Sequence, residues 1–430
     1  MNDNYDFLNN YVNGNLLDKY IDRAVGKVSA SNKQYYAELG EDFVSFHHEL
    51  INESSYVLPV KNENALRTAY ATLGIALETM AKDFNEPKIF GCEELAKYAK
   101  VTYADDKKDK VTIEIPSGYT HIGYDCFRYV QKALIDKVIL PDTIIYIDNN
   151  AFRGCDNLLN IRFSECLAYI GKNAFSECKI LQSADLPETL NYIDDYAFYN
   201  CEELKTCTIK NGTKVLGVSA FEGCHKLTDI ELPDSLKFIQ SRCFANTWNF
   251  NSITIPKGVT HIAKGAFYRS CIESVDLPEG IQYIEDRAFC NCDRLRDIEL
   301  PDSLCSIGQS SFSNCDELCN IKLSENIIMI EDSAFYGCKS IEEIIIPRRT
   351  ETVGKSCFSF CDGLKRVVFE GKDTEVSSSK GVSQFKLFGS LNRSAAEIVC
   401  YKDSKAHEYA LEEGIRVKDI PEKCKDIETR

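Results

Sequence analysis

A phenylalanine returns along this chain at a nearly fixed interval, and that interval constrains the fold more than any other feature. It falls at Phe127, Phe152, Phe175, Phe198, Phe221, Phe244, Phe267, Phe289, Phe312, Phe335 and Phe358. The spacing is 25 residues once, 22 once, and 23 everywhere else. Around each ring sits the same phrase, as in Cys224 to Phe244: Cys-x-x-Leu-x-x-Ile-x-Leu-Pro-x-x-Leu-x-x-Ile-x-x-x-Cys-Phe. Periods of about 20–50 residues belong to stacked-repeat architectures, in which one unit cannot bury its own apolar face and neighbours bury it together.

Each repeat carries two short apolar phrases. In the first, Ile230 and Leu232 are two apart, so they face one side of a strand and Glu231 faces the other. A proline usually follows (Pro116, Pro141, Pro187, Pro233, Pro256, Pro278, Pro301, Pro347). It lacks an N–H and ends the ladder at a corner. The second phrase, Leu236-x-x-Ile239, leads to the corner that holds the ring. Eleven such rungs at ~4.8 Å each give a stack roughly 50 Å long.

The phrase resembles the BspA-type leucine-rich repeat, over residues 111 to 369. The resemblance implies a curved, non-catalytic solenoid with a parallel sheet. It also implies the company of surface adhesins and host-protein binders, and it brings no catalytic residues. The expected fold class is α+β. It comprises a helical N-terminal domain (1–104), a solenoid of eleven ~23-residue rungs (111–370), a loop with a small strand-helix-strand cap (371–420), and a charged tail (421–430).

The N-terminal reading rests on helical spacing. Tyr36, Leu39, Phe43, Phe46 and Leu50 recur three and four apart, as do Leu66, Ala69, Leu73, Leu77, Met80 and Phe84. A bundle of four or five helices is expected, either as a partner-binding module or as a cap over the first rung. Residues 104–110 read as a charged hinge, and Gly371 to Ser383 as a polar, mobile loop. Ile398 to Tyr401 reads as a strand. Ser404 to Glu413 reads as a helix capped by Ser404 and Gly414, and Ile415 to Val417 as a second strand. This ending resembles the cap of the same family.

The net charge of −16 argues against a nucleic-acid partner, since phosphates need a basic footprint. No apolar run approaches membrane-spanning length. The first residues have neither a basic n-region nor an apolar h-region, so a cytoplasmic location is expected. A surface location by a non-standard route is the alternative. Eight of the twenty cysteines stand three residues after a repeat ring: Cys155, Cys178, Cys201, Cys224, Cys292, Cys315, Cys338 and Cys361. They read as a ladder of reduced thiols packed as small hydrophobes.

No catalytic or metal constellation is expected. His47 and His48 are adjacent on a helix and diverge. Cys290, Cys292, Cys315 and Cys319 resemble zinc half-sites only by count. No cofactor is implied.

Two outward stripes are the candidate binding surfaces. On the first strand it is acidic: Asp185, Asp229, Glu231, Asp276, Asp297 and Glu299. It reads as a solvated face or as a docking surface for a basic protein segment. The family resemblance favours this sheet as the reader. On the second strand, the residue before the inward Ile gives Tyr146, Tyr169, Tyr192, Phe238 and Tyr283. This aromatic stripe reads as sheet support or as a contact surface. Trp248, the single tryptophan, sits in a rung that breaks pattern: Thr247 replaces the ladder cysteine, and the next rung is one residue short. A kink with an exposed ring is one reading, and a tolerant corner the other.

The expected function is a non-enzymatic protein-interaction scaffold. A surface adhesin is the alternative, and an enzyme with its site before residue 105 is a distant third.

Overall fold

A computed structural model describes residues 88–96, 111–127, 135–377, 387 and 396–421. Each turn of the chain lays down a first strand of three to five residues, a proline corner, a two-residue second strand and a phenylalanine corner. All pairing between turns is parallel. Cys207, for example, lies between Ala184 and Ile230 of the neighbouring turns. Alternation holds along the strand: Thr206 and Thr208 are exposed, Cys207 and Ile209 buried.

At the proline corner the missing N–H stops the ladder, and the proline carbonyl accepts from the residue three further on. Leu236 N–H donates to Pro233 at 3.0 Å, and Leu304 to Pro301 at 3.0 Å. At the other corner the repeat rings form one column. Neighbouring centroids are 4.4 Å apart for Phe127–Phe152 and 5.8 Å for Phe335–Phe358, and the planes are nearly parallel. Each buried ring is worth roughly 1.5–3 kcal/mol of transfer free energy. The backbone turns tightly here by placing the residue two before each ring in the left-handed region. All eleven turns do so, from Asp125 (φ 51) to Ser356 (φ 55), and even Tyr196, Arg242 and Arg287 comply. A side chain there costs about 1–2 kcal/mol. Hydrogen bonds between corners hold it, such as Phe175 N–H to Ala197 O at 2.7 Å.

The two-residue strands form a seven-stranded sheet from Ile89–Phe90 to Phe238–Ile239 and a six-stranded one from His261–Ile262 to Glu375–Val376. The first strands form four sheets of three, three, four and four. Both ladders are interrupted at the same turn, between Asp229–Glu231 and Ser252–Thr254 and between Phe238–Ile239 and His261–Ile262. This is where the sequence breaks pattern. Phe250 takes the place of the repeat leucine and packs, fully buried, on Phe244 at 5.6 Å. The ring column crosses the interruption intact, with Phe244–Phe267 at 5.7 Å.

The solenoid begins earlier than residue 111. Ile89–Phe90 pairs with His121–Ile122. Phe90 is fully buried and meets Tyr119 edge-on at 5.2 Å. Residues 92–96 form a helical turn. The described part of the stretch read as a helical domain is therefore the head of the solenoid, which makes about twelve turns. The expected helices before residue 88, and the hinge at 104–110, lie outside the described residues.

At the other end Gly371 to Ser383 is not simply a loop. Glu375–Val376 pairs with Thr352–Val353 and closes the second sheet. The cap follows as expected. Strands Glu397–Cys400 and Arg416–Asp419 extend the sheet of Arg366–Phe369 in parallel, joined by the helix Lys405–Glu413. Ser404 accepts from His407 N–H at 3.2 Å, and Gly414 closes the helix at φ 66. Ala406, Tyr409 and Ala410 turn inward.

Candidate interaction surfaces

The acidic positions of the first strand face solvent. Asp185, Glu231, Asp276, Asp297 and Glu299 are all exposed, and their in-strand neighbours Ala184, Ile230, Val275 and Ile298 are buried. Asp229 holds the strand position opposite Thr206. Registration adds detail that a list of residues lacks. Thr208 stands between Asp185 and Glu231, and Thr254 opposes Asp276. Threonine thus separates Asp185 from Glu231, whereas Asp276 and Glu299 follow one another on paired strands with no threonine between them. Bases flank the stripe: Glu299 faces Lys322, and Arg162, which pairs with Ile139, stands in an earlier turn. Asp185 lies 3.5 Å from Lys210, and Asp297 accepts from Asn320 at 3.1 Å.

The aromatic stripe does not face solvent in its first half. Tyr146, Tyr169 and Tyr192 are 2%, 1% and 1% exposed, which corrects the outward reading. Their rings stack on one another at 4.5 and 5.3 Å, and His121 abuts Tyr146 at 5.2 Å. They stand apart from the main core, as a second buried layer. Being opposite an inward isoleucine therefore does not mean being wet. The Tyr169 hydroxyl donates to Asp194 Oδ2 at 2.5 Å. Asp194 is itself buried, and desolvation, then the neighbouring Asp195, pushes its carboxyl up to about 7. Burial drives His121 down to about 4. Phe238 and Tyr283, in the later turns, are half-buried.

Trp248 is 54% exposed and stacks on His225 at 3.8 Å, with planes 10° apart. The irregular turn thus carries both a break in the sheets and a ring at the surface.

The cysteine ladder has a role beyond packing. Cys178, Cys201, Cys224, Cys292, Cys315, Cys338 and Cys361 each donate to the carbonyl of the repeat phenylalanine one turn earlier, at 3.0–3.2 Å. Cys155, half-buried, sits 3.8 Å from Phe127 O. Every cysteine among the described residues is unpaired. Burial raises the seven hydrogen-bonded thiols, Cys178 to Cys361, with Cys292 and Cys361 pushed up to about 12. Among the described residues no group of three or more His, Cys, Asp or Glu side chains could hold a metal. No helix of the described residues is long and apolar enough to cross a membrane.

One cluster escaped the sequence reading. Around Tyr268, at the phenylalanine corner, Arg242 and Arg269 each place a guanidinium 5.2 Å from the ring centroid. Arg287 follows two turns after Arg242. The signal was there, in the positions two before and two after the ring, but the repeat phrase leaves them as unspecified letters.

This architecture is a parallel β-solenoid of the leucine-rich-repeat class. The family model described as BspA type Leucine rich repeat region (6 copies) matches overlapping stretches from residue 103 to residue 380. The chain belongs to this family. Among solved structures it is similar to a leucine-rich repeat protein from Bacteroides ovatus, at 22% identity and TM-score 0.48, covering 74% of this chain and 94% of that one. It is similar also to a leucine rich cell surface protein from Faecalibacterium prausnitzii, at 27% identity and TM-score 0.35, covering 60% and 88%. The pneumococcal vaccine antigen PcpA aligns at 17% identity and TM-score 0.41, covering 74% and 91%. No curated protein matches.

Proposed function

We propose that this protein is a non-enzymatic interaction scaffold whose first-strand face reads a basic segment of a partner protein. One observation carries the reading. Asp185, Glu231, Asp276 and Glu299 are exposed on the outward side of the first strands, with Thr208 between the first two, Thr254 opposite Asp276, and Lys322 opposite Glu299. Asp276 and Glu299 lie on paired strands, where like charges cost stability that a basic ligand would offset. A partner with a basic centre and acidic flanks fits it. Contacts of this kind set register and association rate, and they weaken with salt within a Debye length of about 8 Å.

The test is capture of partners from the native cell with wild type and with Glu231→Lys/Asp276→Lys. Both side chains are exposed, so the fold should persist, and partner affinity should fall and lose its salt dependence. Unchanged capture would refute the reading. A surface adhesin would use the same face. That second reading rests on kinship with a family in which one structural neighbour is described as a cell surface protein. Protease shaving of intact cells separates it from the cytoplasmic reading: surface copies are cut, cytoplasmic ones are spared.

A further inference from the structure

We infer a second docking site, of opposite sign, at the phenylalanine corner: a notch over Gly265 that takes a carboxylate side chain from an acidic protein segment. The notch follows from the repeat. The residue two before each ring is left-handed in every turn, and it reads Arg242, Gly265 and Arg287 in three consecutive turns. Two turns separate the arginines, ~10 Å along the stack. Between them glycine presents no side chain. A Cβ built there would meet only Arg242 Cγ at 3.4 Å and Tyr268 Cβ at 3.6 Å. Arg269 holds its guanidinium 5.2 Å from the ring centroid of the same Tyr268.

Two of the arginines, Arg269 and Arg287, are available to a ligand, whereas Arg242 is held by both oxygens of Glu222. Elsewhere on the solenoid cations meet carboxylates of a neighbouring turn: Arg153 with Glu177, Arg162 with Asp142, Arg296 with Glu317, Arg366 with Glu343. In a chain with 66 acidic and 50 basic residues such a pair is easy to form. Arg269 and Arg287 are both exposed, and neither has a carboxylate within ion-pair distance among the described residues. Nearby acids are turned to other work. Glu222 accepts from Arg242 Nε at 3.0 Å, Glu285 from Lys264 N–H at 3.0 Å, and Asp286 from Gln309 N–H at 3.1 Å. The field of Arg287 and Arg269 converges on Cys290, where both oppose the upward push of burial. A planar carboxylate suits guanidinium forks better than it suits an ammonium, and the stacked Tyr268 holds two of the forks in place.

This site is independent of the acidic face, which would repel the same ligand. The probe is a fluorescein-labelled decaglutamate peptide, titrated against the full chain at low salt and read by polarisation. Saturable binding is expected, weakened about tenfold or more by Arg269→Ala/Arg287→Ala. Gly265→Asp is the sharper variant. Asp125, Asn150 and Asn173 already hold the same backbone position at φ 51–56, so the fold accepts it, and its own carboxylate fills the notch. It should abolish binding while the chain stays folded, at a melting temperature somewhat below that of wild type. Arg153→Ala/Arg162→Ala, already ion-paired elsewhere, should bind as wild type. A chain that fails to bind the peptide saturably, or Arg269→Ala/Arg287→Ala and Gly265→Asp proteins that bind it as wild type does, would overturn the site.

Discussion

The thiol of Cys201 donates to the carbonyl oxygen of Phe175 at 3.2 Å, joining two turns through residues 26 apart in sequence. Six other ladder thiols make the same bond to the turn before them. Where the ladder cysteine is missing, Thr247 Oγ1 turns to its own turn's Phe244 O at 2.9 Å instead. The cysteine is thus a donor as well as a filler, and the repeat conserves it in the same geometry along the stack.

Cys201→Ala should therefore cost more than its lost volume. It strips the Phe175 carbonyl of a partner and opens a small void, together about 1–3 kcal/mol. Cys201→Ser keeps a donor and should recover part of that loss. Urea melts of the two variants check the order. In the native protein Cys92, Cys166 and Cys319 are exposed and should react with a maleimide first. The seven hydrogen-bonded ladder thiols, buried and raised in pKa, should stay protected, because the thiolate is the reactive form.

Phe221→Ala should cost ~3–5 kcal/mol, since it removes a fully buried ring stacked between Phe198 and Phe244. Tyr192→Ala should cost a similar amount, because its ring is buried and stacked on Tyr169. A loss below about 1 kcal/mol at Tyr192 would mean the ring is exposed after all. Chemical denaturation of the two variants side by side decides the point.

Asp194 sets a pH dependence. Its folded carboxyl titrates at about 7, against about 3.9 for an unfolded aspartate. Between those values the folded state holds the proton and the unfolded state does not. Asp194 thus makes stability fall as pH rises from about 4 to about 7. His121 acts oppositely. Its folded value of about 4 lies below the ordinary ~6.5, so its contribution rises over about pH 4–6.5. The variant-minus-wild-type difference isolates each group. Asp194→Asn should gain on wild type as pH is raised from 4 to 7.5, measured by urea midpoint. A flat difference would contradict the burial of the Asp194 carboxyl beside Asp195.

The C-terminal cap should depend on its two ends. Ser404→Ala removes the acceptor for His407 N–H and should cost about 1 kcal/mol. Gly414→Ala forces a side chain to φ 66 and should cost about 1–2 kcal/mol. Hydrogen exchange of Arg416–Asp419, the sheet's last strand, is the local readout. It should quicken in both variants.

Sequence and structure agree where one spacing decides one contact. The ring column follows from period alone, and Ser404 and Gly414 carry their own capping chemistry. The acidic column was legible for the same reason: a two-residue alternation around a buried Ile230 fixes which way Glu231 points. The tyrosines were misread because alternation reports a side of the strand and not what lies beyond it. Tyr169 points away from the main core and is dry all the same. The Arg242–Tyr268–Arg269 cluster was missed because it is assembled from adjacent turns at positions the repeat leaves free. No window along the chain shows those residues together.

One feature of the stack bears on how it bends. Both strand ladders stop between the turns of Phe238 and His261. The corner does not stop: Arg242 N–H reaches Lys264 O at 3.0 Å, Phe244 reaches Ala266 at 2.8 Å, and Asn246 reaches Tyr268 at 2.8 Å. Among the described residues, backbone bonds cross this seam at the phenylalanine corner and just past it, where Cys271 N–H reaches Thr247 O at 3.0 Å. A stack fastened that way yields by opening like a book, with the phenylalanine corner as its spine and the two sheets as the edges that part. Gly265 and its arginines sit on the spine, while Glu231 and Asp276 lie on opposite pages. A ligand held at the first would leave its site unchanged as the pages move, and a partner spanning the second would hold them shut.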